Sequence, residues 1–180
     1  ETTFVYYRNG DSELGEFATQ NRDSIDLADM PANLKDAVVA AENRSFWTDN
    51  GIDPRGIVRA AFSNAQGNAT QGASTITQQY VKILYLSQDQ TLSRKAKEAL
   101  LSLKIQRQQS KREILEGYLN TIYFGRGAYG VEAASQAWFQ IPAAELNLRQ
   151  SAFLASVLNN PGNLDPTTGR DSKRDLRERY

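Results

Sequence analysis

Residues 93–120 read SRKAKEALLSLKIQRQQSKREILEGYLN, and this stretch decides the fold class. It is rich in strong helix formers and free of Pro, and its one Gly, Gly117, lies in the second half. The apolar spacing predicts a long helix over about 93–109, with Leu92, Ala96, Ala99, Leu100 and Leu103 as its core face. Ser110 followed by Glu113 is a capping-box signature, so a second helix starts there and buries Ile114, Leu115, Tyr118 and Leu119. Working outward, helical patterns recur on both sides. Pro31, with a cap at Asp29, opens a helix whose Leu34, Ala37, Val38 and Ala41 share a face and which runs into Glu42. Asp53-Pro54 is a further cap-plus-Pro start leading into Ile57, Val58, Ala61 and Phe62. Residues 66–73 are rich in Gly, Asn, Gln and Thr and read as a loop. Ser74 or Thr75 then caps a helix carrying Ile76, Tyr80, Ile83 and Leu84. Gly125, Gly127 and Gly130 mark a bend, helices follow near 130–138 and 147–159, and Pro142 separates them. Only Phe4-Val5-Tyr6-Tyr7 has strand-like composition, with a turn at Asn9-Gly10-Asp11. The charged tail, residues 165–180, reads as a terminal helix cut short.

Composition narrows the chemistry. The 180 residues make one domain of ordinary size, and Lys+Arg and Asp+Glu both number 21, so the formal net charge is zero. A neutral chain does not bind nucleic acid by bulk charge, although a local basic cleft remains open to it. There is no Cys and no His. Disulfides, thiol nucleophiles, Ser-His-Asp triads and His- or Cys-built zinc sites are therefore excluded. Proton transfer falls to carboxylates, Lys or Tyr. The lack of Cys fits an extracytoplasmic protein. No apolar stretch on the order of 18 residues or more occurs, so this chain does not span a membrane by itself.

Four segments carry polar residues suited to chemistry. In residues 40–47, Glu42 ends an apolar helix just before Phe46 and Trp47. A carboxylate partly desolvated in this way becomes a better proton acceptor near neutrality. Taken alone, the simpler reading is an exposed Glu paired with Arg44. In residues 72–79, a loop feeds a helix start bearing Ser74, Thr75, Gln78 and Gln79. Its hydroxyls and free backbone N–H groups suit an anion or a sugar, or else merely form an N-cap. Lys82, Arg94, Lys95 and Lys97 surround Glu98. Arg94 and Lys95 lie four and three residues before Glu98, which suits a basic cradle for a diphosphate or an ordinary ion pair on a solvated face. The segment 114–120 is first of all a packing helix, with Glu116 and Asn120 as supporting polar groups.

Together, the order and spacing of these segments resemble the family 51 glycosyltransferases. These are the peptidoglycan glycosyltransferase domains of class A penicillin-binding proteins and their monofunctional relatives. The strings Gly-Ala-Ser-Thr-Ile-Thr-Gln-Gln (72–79) and Arg-Lys-Ala-Lys-Glu (94–98) carry the resemblance, which spans about residues 34–166. It implies a mainly α, lysozyme-like, two-lobed helical domain with a short N-terminal β segment, occupying residues 1–180. It also implies a membrane anchor before this domain and, in many relatives, a transpeptidase domain after it. The implied substrate is lipid II, a disaccharide-pentapeptide on a polyprenyl diphosphate, with the growing glycan strand as its partner in the reaction. The implied location is the outer face of the bacterial cytoplasmic membrane, beside other cell-wall synthesis and division proteins. Residue by residue, the resemblance makes Glu42 the general base and Glu98 the second carboxylate. Phe46, Ser74, Thr75, Gln78, Gln79, Lys82, Arg94, Lys95 and Lys97 would bind substrate. It admits a divalent cation, Mg or Mn, without fixing ligands for one. The chain departs from the family pattern at Asn43, where Asp is usual; at Asp49, where His is frequent; at Gln90, where a basic residue is common; and at Gln140, where Gly is common. A lysozyme-like hydrolase of finished glycan and a non-catalytic scaffold are the rival readings. Apolar Ile57, Val58, Ala61 and Phe62, with Arg55 and Arg59 beside them, suit contact with a membrane surface or an ordinary core-facing helix.

Overall fold

The computed structural model describes residues 2–6, 13–18, 23–65, 74–85, 91–158, 160–162 and 164–167. Two strands, β1 (Thr2–Tyr6) and β2 (Glu13–Ala18), pair antiparallel as a hairpin, with Thr2 opposite Ala18. Among the described residues seven α-helices follow: α1 (Ala32–Glu42), α2 (Pro54–Ala65), α3 (Ile76–Tyr85), α4 (Leu92–Gln108), α5 (Lys111–Thr121), α6 (Val131–Phe139) and α7 (Leu148–Val157). A 3₁₀ turn at Ala143–Glu145 follows Pro142 and links α6 to α7. The mainly helical class with a short N-terminal β segment is thus the one observed. Tyr7, the expected turn at residues 9–11, the loop at 66–73, Gln90 and residues 168–180 of the tail lie outside the described residues.

The core forms where apolar faces meet. α5 is its centre: Ile114, Leu115, Tyr118 and Leu119 are all fully buried. Its start is fixed by the expected capping box, in which Ser110 Oγ accepts from Glu113 N at 3.3 Å and Glu113 Oε2 accepts from Ser110 N at 2.7 Å. Truncating one such core leucine to alanine costs about 2–5 kcal/mol. α3 packs against both α4 and α5, and α1 packs against α7. The 25–27 segment is strapped to α5: Asn120 exchanges hydrogen bonds with the Ile25 backbone, and Glu116 Oε2 accepts from Leu27 N at 2.9 Å. Glu116 and Asn120 therefore hold the chain rather than a ligand.

Three expectations need correction. α1 opens with Pro31 itself at the N-cap, while Asp29 sits in the preceding turn, its N–H bonded to Asp26 O. α1 buries Val39 beside Leu34 and Val38, and Ala41 is not among its buried residues. On α4 the expected face is only partly buried: Ala99 and Leu103 are half-buried, and the Leu92 side chain lies outside the described residues. Ala96 and Leu100 are exposed, Leu100 to 68%, and the buried residues include Glu98, Ser102 and Ile105. α4 turns a polar stripe inward because the Glu98 ion pairs and the Ser102 Oγ bond to Glu98 O (2.7 Å) satisfy that stripe internally. Likewise α3 buries Ile76 and Val81 but exposes Ile83 and Leu84.

Candidate active site

Glu42 is the last residue of α1, and Asn43 closes the helix with its N–H still bonded to Val39 O. The Glu42 side chain is half-buried, and its Oε2 accepts a hydrogen bond from Gln79 Nε2 of α3 at 2.9 Å. Gln79 Oε1 in turn accepts from the Tyr118 hydroxyl of α5 at 3.0 Å. Burial pushes the Tyr118 phenol well above the ordinary tyrosine value, and the negative charge of Glu42 adds to the shift. Three helices thus meet at one carboxylate. Sequence spacing gives Tyr118 a packing role only. The signal that marks it is general: a buried Tyr hydroxyl needs a partner. Arg44, two residues on, sends its Nε back to Ala40 O.

The loop after Glu42 is organised by Asn43, which is buried. Its Oδ1 accepts from Ile76 N at 3.1 Å, at the first turn of α3. Its Nδ2 donates to Ser45 Oγ at 3.0 Å, and Ser45 Oγ donates to Asp53 Oδ2 at 3.0 Å. Asp53 Oδ1 caps α2 by accepting from Gly56 N at 2.9 Å, and that bond is the main cause holding its carboxyl below the usual range. Asp49, with Oδ2 3.5 Å from the same Ser45 oxygen, is paired through Oδ1 with Lys111 Nζ at 2.7 Å. Gly51 has φ +88, and a Cβ there would lie 2.9 Å from Ser102 O of α4, so only Gly lets the loop approach α4 this closely. The donor set argues against a divalent cation at this loop. Asn43 presents an amide, Asp49 is neutralised by Lys111, and among the described residues no group of three or more carboxylates could hold a metal ion. No step is therefore assigned to Mg or Mn.

Phe46, expected to bind substrate, is placed inside the fold. It is 0% exposed, with Lys111 Nζ 4.6 Å over its ring. Its apolar ring anchors the loop in the core, while neighbouring Trp47, edge-on to it with centroids 5.0 Å apart, is half exposed.

At the start of α3, Thr75 is the cap. Thr75 Oγ1 accepts from Gln78 N at 3.1 Å and donates to Gly51 O at 2.7 Å, while Gln78 Oε1 accepts from Thr75 N at 3.0 Å. Thr75 and Gln78 are buried, and the Ile76 N–H goes to Asn43. The capping bonds and the Asn43 bond take Thr75 Oγ1, Gln78 Oε1 and the N–H groups expected to serve a ligand. Ser74 and Gln79 remain half-buried at the edge of the site.

Glu98 is 2% exposed and bridges two cations on α4. Its Oε2 lies 3.0 Å from Arg94 Nη1, and its Oε1 takes Lys95 Nζ, which also donates to Ser74 Oγ at 3.0 Å. Both carboxylate oxygens are occupied, which suits a group that orients cations. The two carboxylates flank the start of α3: Glu42 through Gln79, and Glu98 through Lys95 and Ser74. Lys82 follows Gln79 by three positions on α3, hence on a neighbouring face. It and Lys97 are exposed, and among the described residues neither forms an ion pair.

On α2, Ile57, Val58 and Phe62 are exposed, as are Arg55 and Arg59. The Ala61 side chain lies outside the described residues. Ile83, Leu84 and Tyr85 on α3 and Leu100 on α4 are also exposed. Among the described residues no helix is long and apolar enough to cross a membrane.

The family model for transglycosylases matches residues 10–180. The chain belongs to this family, the family 51 glycosyltransferases. Transglycosylase relatives include penicillin-binding protein 1A of Aquifex aeolicus, 47% identical over 153 residues, or 84% of this chain and 21% of that one. Penicillin-binding protein 1A of Rickettsia prowazekii is 43% identical over 168 residues, covering 91% of this chain and 21% of the relative. The chain therefore spans about a fifth of the length of these relatives. A solved structure of penicillin-binding protein 1A from Haemophilus influenzae aligns with 99% of this chain and 17% of its own, at 22% identity and a TM-score of 0.49.

Proposed function

We propose that this transglycosylase domain polymerises lipid II into β-1,4-linked glycan strands at the outer face of the bacterial cytoplasmic membrane. The observation that carries the reading is the placement of Glu42: a half-buried carboxylate tied to Gln79 on α3, one helical turn before exposed Lys82, with the Arg94–Lys95–Glu98 cluster joined to the same helix start through Ser74.

The 4-hydroxyl of the acceptor sugar attacks the donor anomeric carbon. Glu42 takes the hydroxyl proton, the new C–O bond forms with inversion, and the lipid diphosphate leaves with the electron pair of the broken bond. A positioned base contributes roughly a hundred- to ten-thousand-fold. Negative charge grows on the departing diphosphate, and Lys82, Arg94, Lys95 and Lys97 stabilise it. Glu98 holds Arg94 and Lys95 in place from within the fold. A diphosphate leaves far more readily than a sugar alkoxide, so cations replace the acid that a glycosidase places opposite its second carboxylate. Ser74 and Gln79 line the way in to the base. The exposed Ile57, Val58 and Phe62, flanked by Arg55 and Arg59, rest on the membrane surface from which the lipid is drawn.

Incubation of the domain with purified lipid II, resolved on a gel, tests the reading. Long polymer is expected. Soluble fragments released from cell-wall sacculi without polymer would indicate a hydrolase, and neither product would indicate a scaffold. Either result overturns the proposal. For the cradle, Lys82→Ala should weaken binding of diphosphate donors more than of neutral sugars, and equal loss for both would contradict it. For the membrane, Phe62→Ser should reduce liposome flotation.

A further inference from the structure

A glutamine amide can be turned over about its last bond, exchanging its donor and acceptor ends. At Gln79 the partners choose between the two orientations. A carboxylate only accepts, so Nε2 must face Glu42, and Oε1 is left facing Tyr118, whose hydroxyl supplies the hydrogen. In the opposite orientation Oε1 would meet a carboxylate oxygen. The Tyr118 hydroxyl would then accept from Nε2 and keep its own hydrogen unpaired inside the core, which is costly. We propose that Tyr118 is a positioning residue: through Gln79 it holds the Glu42 carboxylate in the attitude in which it receives the acceptor hydroxyl's proton.

Packing supports the assignment. The Tyr118 ring is fully buried on α5, whose Ile114, Leu115 and Leu119 are buried with it, so the hydroxyl has a fixed origin. Its elevated phenol value, caused by burial and then by Glu42, keeps it a donor. The neighbouring Gly117 leaves room for the Tyr80 ring of α3. A Cβ at 117 would lie 2.3 Å from the Tyr80 hydroxyl of α3, a separation real atoms do not adopt. Among the described residues, Tyr118 is bonded to the far end of the amide that Glu42 accepts from.

This inference rests on Glu42 being the base, and its test separates the two. Tyr118→Phe removes one oxygen and keeps the ring. It should lower kcat for lipid II polymerisation about tenfold with KM unchanged, the signature of an interaction that matters to the chemical step. Gln79→Leu should lower kcat at least as far, and the double variant should be no slower than Gln79→Leu alone, because both changes break one chain of bonds. A parent kcat in Tyr118→Phe, a rise in KM alone, or losses that multiply in the double variant would overturn the inference while leaving the polymerase reading intact. An NMR arm needs no substrate. The Gln79 side-chain amide resonances should shift on Tyr118→Phe, and unchanged resonances would overturn the link. If the parent chain made no polymer, the polymerase reading would fail, and the amide spectrum alone would decide the Tyr118–Gln79 link.

Discussion

Restoring the family's Asp beside the base, Asn43→Asp, should destabilise this protein. Asn43 is both acceptor and donor: Oδ1 takes the Ile76 N–H, and Nδ2 gives a hydrogen to Ser45 Oγ, which passes its own on to Asp53 Oδ2. An Asp keeps the first bond and gains about 0.3–1 kcal/mol from a negative charge at the first turn of α3. It loses the donor. Ser45 has one hydroxyl hydrogen and cannot serve carboxylates at 43 and 53 together, so a buried acceptor is orphaned at a cost of about 1–3 kcal/mol. A third negative charge beside Asp49 and Asp53 adds to the loss. The net cost is about 1–2 kcal/mol, or roughly 2–8 °C in Tm for a chain of this size. Thermal and urea denaturation at pH 7 would measure it. The penalty should shrink below about pH 4, where the introduced carboxyl is protonated and regains a donor. The decisive control reverses the chain of bonds. In Asn43→Asp with Asp53→Asn, residue 53 donates to Ser45 and Ser45 donates to residue 43, so most of the lost stability should return. An Asn43→Asp variant as stable as the parent, or a double variant no better than the single, would refute this account of the loop.

Other outcomes follow from local geometry. Gln140 ends α6 with φ +59, a left-handed conformation that favours Gly, so Gln140→Gly should raise stability by about 0.5–1 kcal/mol, and an unchanged Tm would contradict this. Arg126 grips both Asp165 oxygens, at 3.0 and 3.1 Å, and this bonding is the main cause holding the Asp165 carboxyl well below the usual carboxylate range. A depressed carboxyl stabilises above its unfolded value and loses that contribution as pH falls. Asp165→Asn should therefore cost about 1 kcal/mol at pH 7 and progressively less in acid, as paired denaturation curves would show. Gly117→Ala sets a helix-propensity gain of about 1 kcal/mol against overpacking of about 1–3 kcal/mol on Tyr80, so a lower Tm is expected; a higher one would mean that Tyr80 moves aside freely.

α5 shows what the sequence makes legible. Its capping box, its period and its four core residues all point to one local solution, and tertiary contacts only confirm it. α4 shows the limit. Counting apolar positions puts Leu100 inward, yet the helix turns Glu98 and Ser102 to the core, because ion pairs and a backbone bond satisfy polar groups that periodicity treats as solvent-facing. The same limit applies at the site. The motif order locates Glu42, Glu98 and the basic residues. It does not reveal that Phe46 is buried under Lys111 or that Tyr118 reaches Gln79. The Thr75–Gln78 pair follows a local capping-box pattern, but Phe46 under Lys111 and Tyr118 at Gln79 depend on side chains distant in sequence coming together, which no local pattern encodes.

In the proposed reaction Glu42 is the base in glycan-strand synthesis from lipid II. Glu42→Gln keeps the shape and an acceptor oxygen toward Gln79 but cannot take a proton. Measured with purified lipid II on a polymer-resolving gel, this variant should make no long strands while retaining the parent's fold and its binding of the lipid substrate. Polymer formation at the parent rate would contradict the account.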